Sequence, residues 1–290
     1  MGTGRGPGRS GVRPGLSHRG STLPVEPALV NERPGPPRVF ERLAADYRFR
    51  PPYPEAVVER LSELTGAGRP VVDLGAGTGL LAAPLARRGH PVLAVEPAAA
   101  MLAVCTEACA GLEVTPVLAP AEATGLSGDL GAGLVLLADA VHWVSPDAAG
   151  AEAQRLLAPN GVAAVLVPEL ADTPFMRGLS ALLVAVNPKA RSLPATERTR
   201  QFLALAAGPG RPEEERWEER ELLEPDALRG VVRSLSYGGP AIGPAALERL
   251  LEAVDVLGER EGREWARVLR LFWLRRGRRS RRPRTRPPRR

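Results

Sequence analysis

The sequence predicts an α/β protein whose core is a doubly wound, mostly parallel seven-stranded sheet with helices on both faces. Three observations carry that prediction. Between residues 71 and 168, short apolar runs bounded by Gly, Pro or Asp alternate with helical segments, the pattern of parallel strands buried on both sides. The first run enters a glycine-rich turn, Val71-Val-Asp-Leu-Gly-Ala-Gly-Thr-Gly. The second ends on an acidic residue in Val95-Glu96-Pro97.

Taken in order, residues 39–64 read as a helix, an extended break at Arg50-Pro-Pro-Tyr-Pro, and a helix from Glu55 to Leu64. Strand one is Val71–Leu74. A helix over Leu80–Arg88 turns Leu80, Leu81, Pro84 and Leu85 to the sheet, with Pro84 tolerated in the first turn. Strand two is Pro91–Glu96, then come a helix at Ala98–Ala110, strand three at Glu113–Leu118 and strand four at Gly133–Asp139. A helix at Pro146–Leu157 leads to strand five, Gly161–Pro168. Beyond Glu169 the rhythm changes: helices at Thr173–Val186 and Arg198–Ala207, a strand at Arg216–Leu223, and a helix at Pro225–Ser234. An amphipathic helix, Pro244–Glu259, carries Leu247, Leu250, Leu251 and Val254 inward, and Arg267–Leu274 alternates as a last strand.

The glycine turn is the most specific local signal. Gly75 and Gly77 let the backbone reach positive φ and approach a ligand without a Cβ in the way. An acidic residue at the tip of the second strand can accept two hydrogen bonds from a ribose diol, so Glu96 is a candidate ligand residue. The glycines stand at 75, 77 and 79, and Leu80 occupies the position where a dinucleotide fingerprint needs its third glycine. That spacing, with Asp73 just before the turn, argues against a nicotinamide-dependent oxidoreductase.

Composition bounds the rest. The chain of 290 residues is 44% apolar, enough for one domain of ordinary size with tails. Its net charge of +6 comes from the ends: residues 275–290 hold ten Arg and no acid, and residues 1–38 hold six Arg and two Glu, which leaves residues 39–274 at −8. Eight Gly and seven Pro within 1–38 make disorder the expectation there. No apolar run approaches membrane-spanning length and no signal-peptide core opens the chain, so a cytoplasmic protein without membrane association is expected. Two cysteines, Cys105 and Cys109, and three histidines, His18, His90 and His142, argue against a structural metal site. The two thiols are expected to stay reduced.

With these segments assembled, the chain resembles the class I S-adenosylmethionine-dependent methyltransferases, in their small-molecule type 11 branch, over roughly residues 38–275. Asp73-Leu-Gly-Ala-Gly-Thr-Gly is similar to that family's first motif, and Val95-Glu96-Pro97 with Met101-Leu102 to its ribose-binding strand end. Ala121-Glu122-Ala-Thr-Gly-Leu is similar to the adenine-side segment, and Asp139-Ala-Val-His142-Trp143 to the segment after strand four. Leu156-Leu-Ala-Pro-Asn-Gly161 resembles the turn into strand five, Tyr47-Arg-Phe-Arg-Pro-Pro-Tyr-Pro54 the lead-in, and Arg233-Ser-Leu-Ser-Tyr237 the late segment. The resemblance implies the methyltransferase variant of the Rossmann-like fold, with S-adenosyl-L-methionine as cofactor. It implies cofactor contacts at Asp73, Gly75, Ala76, Gly77, Gly79, Glu96, Pro97, Met101, Ala121, Glu122 and Asp139. Many relatives carry Asp or Thr where this chain has Pro120, which removes a side-chain and an N–H contact to the adenine. It also implies a domain at 38–276 between tails at 1–37 and 277–290, with acceptor-pocket elements mainly at 39–64 and 169–243.

The expected chemistry is methyl transfer by in-line displacement to an oxygen, or nitrogen, of a small metabolite. It needs alignment and exclusion of water, and orientation of this kind supplies about 7–11 kcal/mol of a barrier. A neutral acceptor also needs a base. His142, just beyond the fourth strand's carboxyl end, is the candidate, unless it only orients Trp143. Tyr47 and Tyr53 could close over the site and present π faces to the sulfonium, or pack the N-terminal helices onto the sheet. A second function class takes the Arg-rich tail as a phosphate-backbone contact, making the protein a nucleic-acid binder or an RNA-directed methyltransferase. A third is a binding protein that keeps the fold without turnover.

Overall fold

Residues 1–2, 36–188, 196–239 and 241–277 are described by the structure, a computed structural model. The fold below is that of the unit that begins at Pro34. The tails expected at 1–37 and 277–290 lie outside the described residues except at 1–2, 36–37 and 277.

Among the described residues, seven strands form where the sequence predicts strands, all but the charged sixth on apolar runs. They are β1 Val71–Leu74, β2 Val92–Glu96, β3 Val114–Leu118, β4 Ala132–Ala138, β5 Leu157–Leu170, β6 Glu213–Leu222 and β7 Glu264–Arg275. Their order in one sheet is β3-β2-β1-β4-β5-β7-β6. The first five are parallel, and β7 runs antiparallel between β5 and β6. The order reverses between β1 and β4, which pair through Val71↔Leu134 to Leu74↔Leu137. In open α/β sheets that switch point is where ligands bind, outside the strands' carboxyl ends.

Alternation along each strand divides the core in two. Val71, Val92, Ala94, Leu134, Leu136, Ala164, Leu269 and Leu271 face α2 (Glu55–Thr65), α3 (Ala82–Arg87) and α4 (Ala99–Ala108). Val72, Leu74, Val95, Val135, Leu137, Ala163 and Val165 face α5 (Pro146–Leu156) and α7 (Thr196–Ala207). Helix α2 is helical because Val57, Val58, Leu61 and Leu64 recur at helical spacing and all are buried. A third apolar cluster joins α6 (Pro174–Val186), α8 (Pro225–Arg233) and α9 (Pro244–Glu261) around Phe175, Leu228, Leu251 and Trp265. Thr173 caps α6 by accepting from Met176 N–H, and Pro stands in the first turn of α6, α8 and α9.

Several boundaries shift by a few residues from the sequence expectation, and two of the shifts have a clear local cause. Helix α3 starts at Ala82, not Leu80, because the glycine turn continues through Gly79, whose N–H binds Ala76 O at 3.0 Å. Its first turn therefore stands farther from the glycines than expected. Strand β5 starts at Leu157, where a register shift opposite Ala132 and a left-handed Asn160 (φ 64°) absorb the turn-like Pro-Asn-Gly within the strand. The edge strand β6, Glu-Glu-Glu-Arg-Trp-Glu-Glu-Arg-Glu-Leu, is mostly exposed and heavily charged, which blocks edge-to-edge pairing.

Candidate active site

The site is built around the switch point. Strand β1 delivers Asp73, only 2% exposed, and its Oδ1 has no hydrogen-bond partner. Burial, with the negative charge of Glu96 nearby, pushes the Asp73 carboxyl up to about 7. The chain then turns with Gly75 at φ 76°, Gly77 at φ 57° and Gly79 at φ 85°. Gly75 N–H and Ala76 N–H both bind Val95 O, at 2.8 and 3.0 Å, which fixes the turn to β2. A Cβ at Gly75 would stand 2.9 Å from that of Ala140, so the segment that follows β4 enforces this glycine through packing. A Cβ at Gly77 would meet nothing nearer than the Met101 methyl at 3.9 Å, leaving room beside it.

Glu96 closes the turn from the other side. Its Oε2 accepts from Gly77 N–H at 3.0 Å and its Oε1 from Ala98 N–H at 2.9 Å. It is 4% exposed; burial raises its pKa, and the two backbone N–H groups oppose that rise. Each oxygen keeps lone-pair capacity for a further donor. Near this acid stands Glu41 of α1 (Pro36–Leu43), which accepts from Ala99 N–H at 2.6 Å and Ala100 N–H at 3.0 Å, with Ala44 packed on Ala98 and Met101.

Strand β4 supplies the opposite wall. Asp139 sits in the left-handed region at φ 51°, tolerable for Asp, with its N–H fixed on Leu166 O at 2.9 Å. The next residues are held by two side chains from elsewhere. Arg198 of α7 donates to Val141 O at 3.2 Å and to Val144 O, and Glu122 accepts from Ser145 N–H at 2.8 Å. Glu122 thus caps α5, in addition to any role beside an adenine. Ala121 is buried next to it, and Pro120 O accepts from Ala123 N–H at 3.1 Å. His142 has an exposed face, but protein packed around the ring lowers its pKa, with Arg198 and Arg50 adding to this and Asp139 opposing it. With its pKa below the ordinary imidazole value, the ring is mostly neutral at pH 7. It lies 5.2 Å from the Trp143 ring, which packs edge-on against Phe40.

Arg50, Ser234 and Tyr237, which the sequence did not assign to the site, complete it beside Tyr47 and Tyr53. A 3-10 turn, Tyr47–Phe49, docks on α8 where a Cβ at Gly230 would overlap the Phe49 ring. Arg50 follows and inserts its guanidinium between the N-terminal and C-terminal segments. Nε binds Ser234 Oγ at 2.6 Å, Nη2 binds Ser234 O at 3.0 Å, and Nη1 stands 3.7 Å from Asp139 Oδ2. Burial opposes the Arg50 charge, but Tyr47, Asp139, Tyr237 and Tyr53 outweigh it and raise its pKa. The three phenols are held protonated in turn: burial pushes Tyr47 up to about 12 and also raises Tyr53 and Tyr237. One face of Tyr47 carries Arg50 at 4.9 Å and Tyr53 carries Arg267 at 5.3 Å. Arg50 and Tyr237 both lie in the segments that carried the family resemblance, which was the one available signal for them.

The structure therefore gathers Tyr47, Asp73, Gly75, Ala76, Gly77, Glu96, Met101, Asp139 and His142 around the carboxyl ends of β1, β2 and β4. Gly79 lies deeper, where a Cβ would meet Cys105 Sγ at 2.9 Å. Residues 72–165 match the family described as "Methyltransferase domain". This part of the chain is a methyltransferase domain. Uncharacterized methyltransferases of Mycobacterium tuberculosis and Mycobacterium bovis are 42% identical to the chain over 114 residues, 39% of this chain and 45% of each relative. The aligned stretch thus spans about half the length of the curated relatives it matches.

Among solved structures, the fold of the methyltransferase domain and its flanks is similar to a candidate type II methyltransferase of Anaeromyxobacter dehalogenans. The TM-score is 0.59 at 24% identity, covering 79% of this chain and 97% of that one. A candidate methyltransferase from an antibiotic biosynthesis pathway of Anabaena variabilis gives 0.56 at 18% identity, covering 75% and 96%. At these identities the likeness is one of fold. Among the described residues, no helix is long and apolar enough to cross a membrane, and no three His, Cys, Asp or Glu side chains gather to hold a metal ion.

Proposed function

We propose that this protein is an S-adenosylmethionine-dependent methyltransferase that methylates an oxygen, or nitrogen, of a small metabolite. The observation that carries the reading is the pairing of an orphaned, buried Asp73 carboxyl with Glu96 across the glycine turn. A ligand fitting both needs a cationic or N–H donor group near Asp73 and a hydroxyl pair near Glu96, and the amino-acid and ribose parts of S-adenosylmethionine supply these. A dinucleotide's pyrophosphate would meet two carboxyl groups there, and the turn lacks the third glycine that its close approach requires.

The residues present therefore fit the cofactor. Asp73 and the backbone of Gly75, Ala76 and Gly77 would hold its methionine part and Glu96 its ribose, with Pro97 and Met101 alongside. Ala121 and Glu122 would flank the adenine. When bound, the cofactor supplies a methyl group already activated as a sulfonium.

The chain's own contribution is alignment. Tyr47, Tyr53 and Tyr237 wall the opening with phenols that stay neutral, excluding water while offering O–H groups to an acceptor. Neutral His142 is the base for an acceptor that must lose a proton, and a carboxylate acceptor needs none. Calorimetric titration of the full chain with S-adenosylmethionine, S-adenosylhomocysteine and NAD tests the reading. The first two are expected to bind, and Glu96→Ala to weaken them about 10–100-fold through the lost charged hydrogen bonds. Preference for NAD, or silence toward both sulfur compounds, would sink the proposal.

A further inference from the structure

Arg50 is a cation set at the mouth of the switch point, and its charge is only partly answered. Two of its three nitrogens are spent on Ser234, a neutral residue. Among the described residues its carboxylate partner is Asp139, which stands at 3.7 Å, beyond hydrogen-bond reach. Both partners are anchored: the Asp139 backbone is fixed at φ 51° with its N–H on Leu166 O, and the Arg50 guanidinium is tied to Ser234 at the end of α8. Both side chains keep contact with solvent, 17% exposed for Arg50 and 35% for Asp139. The surrounding side chains, Tyr47, Tyr53 and Tyr237, are half-buried and uncharged at neutral pH. A partly exposed guanidinium whose Nη1 lies beyond hydrogen-bond reach of its carboxylate, among neutral phenols, is matched by a planar anion.

We propose that Arg50 recognises a carboxylate on the methyl acceptor, and that the acceptor class is small carboxylic acids. The inference rests on the methyltransferase reading and adds its substrate class. An acceptor carboxylate at Nη1 receives a charge-assisted hydrogen bond that Asp139 does not take, and the phenol O–H groups offer further donors to its second oxygen. An amide or ester of the same shape brings no charge and leaves the guanidinium as it was. Specificity for acids over amides follows from that difference.

The test uses the full chain saturated with S-adenosylhomocysteine and measures binding of three acid–amide pairs by NMR titration: benzoate and benzamide, hexanoate and hexanamide, glutarate and glutaramide. At least one acid is expected to bind about tenfold or more tightly than its amide, a difference of about 1.4 kcal/mol. Arg50→Gln is expected to erase the acid–amide ratio. A purely structural Arg50 would lower the melting temperature without moving that ratio. Should Arg50→Gln fail to fold, Arg50→Lys decides: it keeps the charge, loses the fork, and is expected to reduce the ratio severalfold. Equal binding of acids and amides, an unchanged ratio in the folded variant, or no acid bound by protein that does bind S-adenosylhomocysteine each overturns the inference alone. Wild-type protein that does not bind S-adenosylhomocysteine overturns the methyltransferase reading, and this inference with it.

Discussion

The two sides of the active-site opening are built differently. On the cofactor side, Asp73, the turn through Gly79 and Glu96 belong to one β-α-β unit, and the bond that closes it, Gly77 N–H to Glu96, spans 19 positions. On the acceptor side, Arg50 reaches Ser234 across 184 positions, and Arg267 reaches Pro51 O at 3.2 Å across 216. The first arrangement comes from local backbone geometry, with glycines at positive φ and an acid at a strand end. The second exists only after the sheet has brought β7, α8 and the N-terminal lead-in together. Changes to one side should therefore be separable from the other, and the largest separation is expected at Arg267.

Arg267 is buried on β7, where its guanidinium binds Glu219, Pro51 O and Pro52 O and lies over the Tyr53 ring. It holds the lead-in that carries Tyr53 and is continuous with Arg50. Arg267→Met strands Glu219 and two proline carbonyls, at an expected cost of about 3–5 kcal/mol in urea melts. Affinity for S-adenosylhomocysteine is expected to stay within about twofold, because no cofactor-side residue touches Arg267. A comparable loss of cofactor affinity would show that the two sides are one cooperative unit.

The same division explains what the sequence disclosed. Strands β1 to β5, the glycine turn and Glu96 were legible because each depends on signals within a few tens of residues: apolar period, glycine spacing, an acid at a strand tip. The mostly exposed, charged strand β6 was legible only from Arg216 onward, since Glu213-Glu-Glu has no apolar period and is held in the sheet by pairing with β7. Glu122 was assigned to an adenine from its segment alone, and its bond to Ser145 N–H could not be read from spacing. Arg50 was visible only as one letter of Arg-Pro-Pro-Tyr. Its role depends on Ser234 and Asp139, and no local period encodes a contact between loops so far apart.

On the cofactor side, the sharpest test is Asp73→Asn, which should separate stability from binding. The Asp73 pKa of about 7 in the folded protein lies above its ordinary 3.8. Between those values the folded state holds a proton that the unfolded chain has released, so stability falls as pH rises from about 4 to about 7 and stays low above that. Asp73→Asn removes that titration. The variant is expected to be more stable than the wild type at pH 8 by about 1–3 kcal/mol, with the gain gone near pH 4. Its affinity for S-adenosylmethionine is expected to fall about tenfold or more, since the orphaned oxygen then carries no charge for the amino group. A variant less stable at pH 8 would mean that Asp73 has a structural partner in the protein itself.

The smallest expected effect lies where the two sides meet. Helix α4 begins at Ala98, which has no side chain to cap it, and Glu41 of α1 does that work through Ala99 and Ala100 N–H. A carboxylate there satisfies orphan donors and opposes the positive helix end. The same contact ties α1 to the start of α4, one residue beyond the Ala98 N–H that Glu96 holds. For a ligand that reaches Glu96 past α1, the Glu41 bonds set part of the cost. Glu41→Ala is expected to lower stability by about 1 kcal/mol and to speed release of S-adenosylhomocysteine about fivefold in stopped-flow measurements, the rate equivalent of that energy. A lower melting point with an unchanged release rate would make Glu41 a helix cap alone and place the cofactor's entry path away from α1.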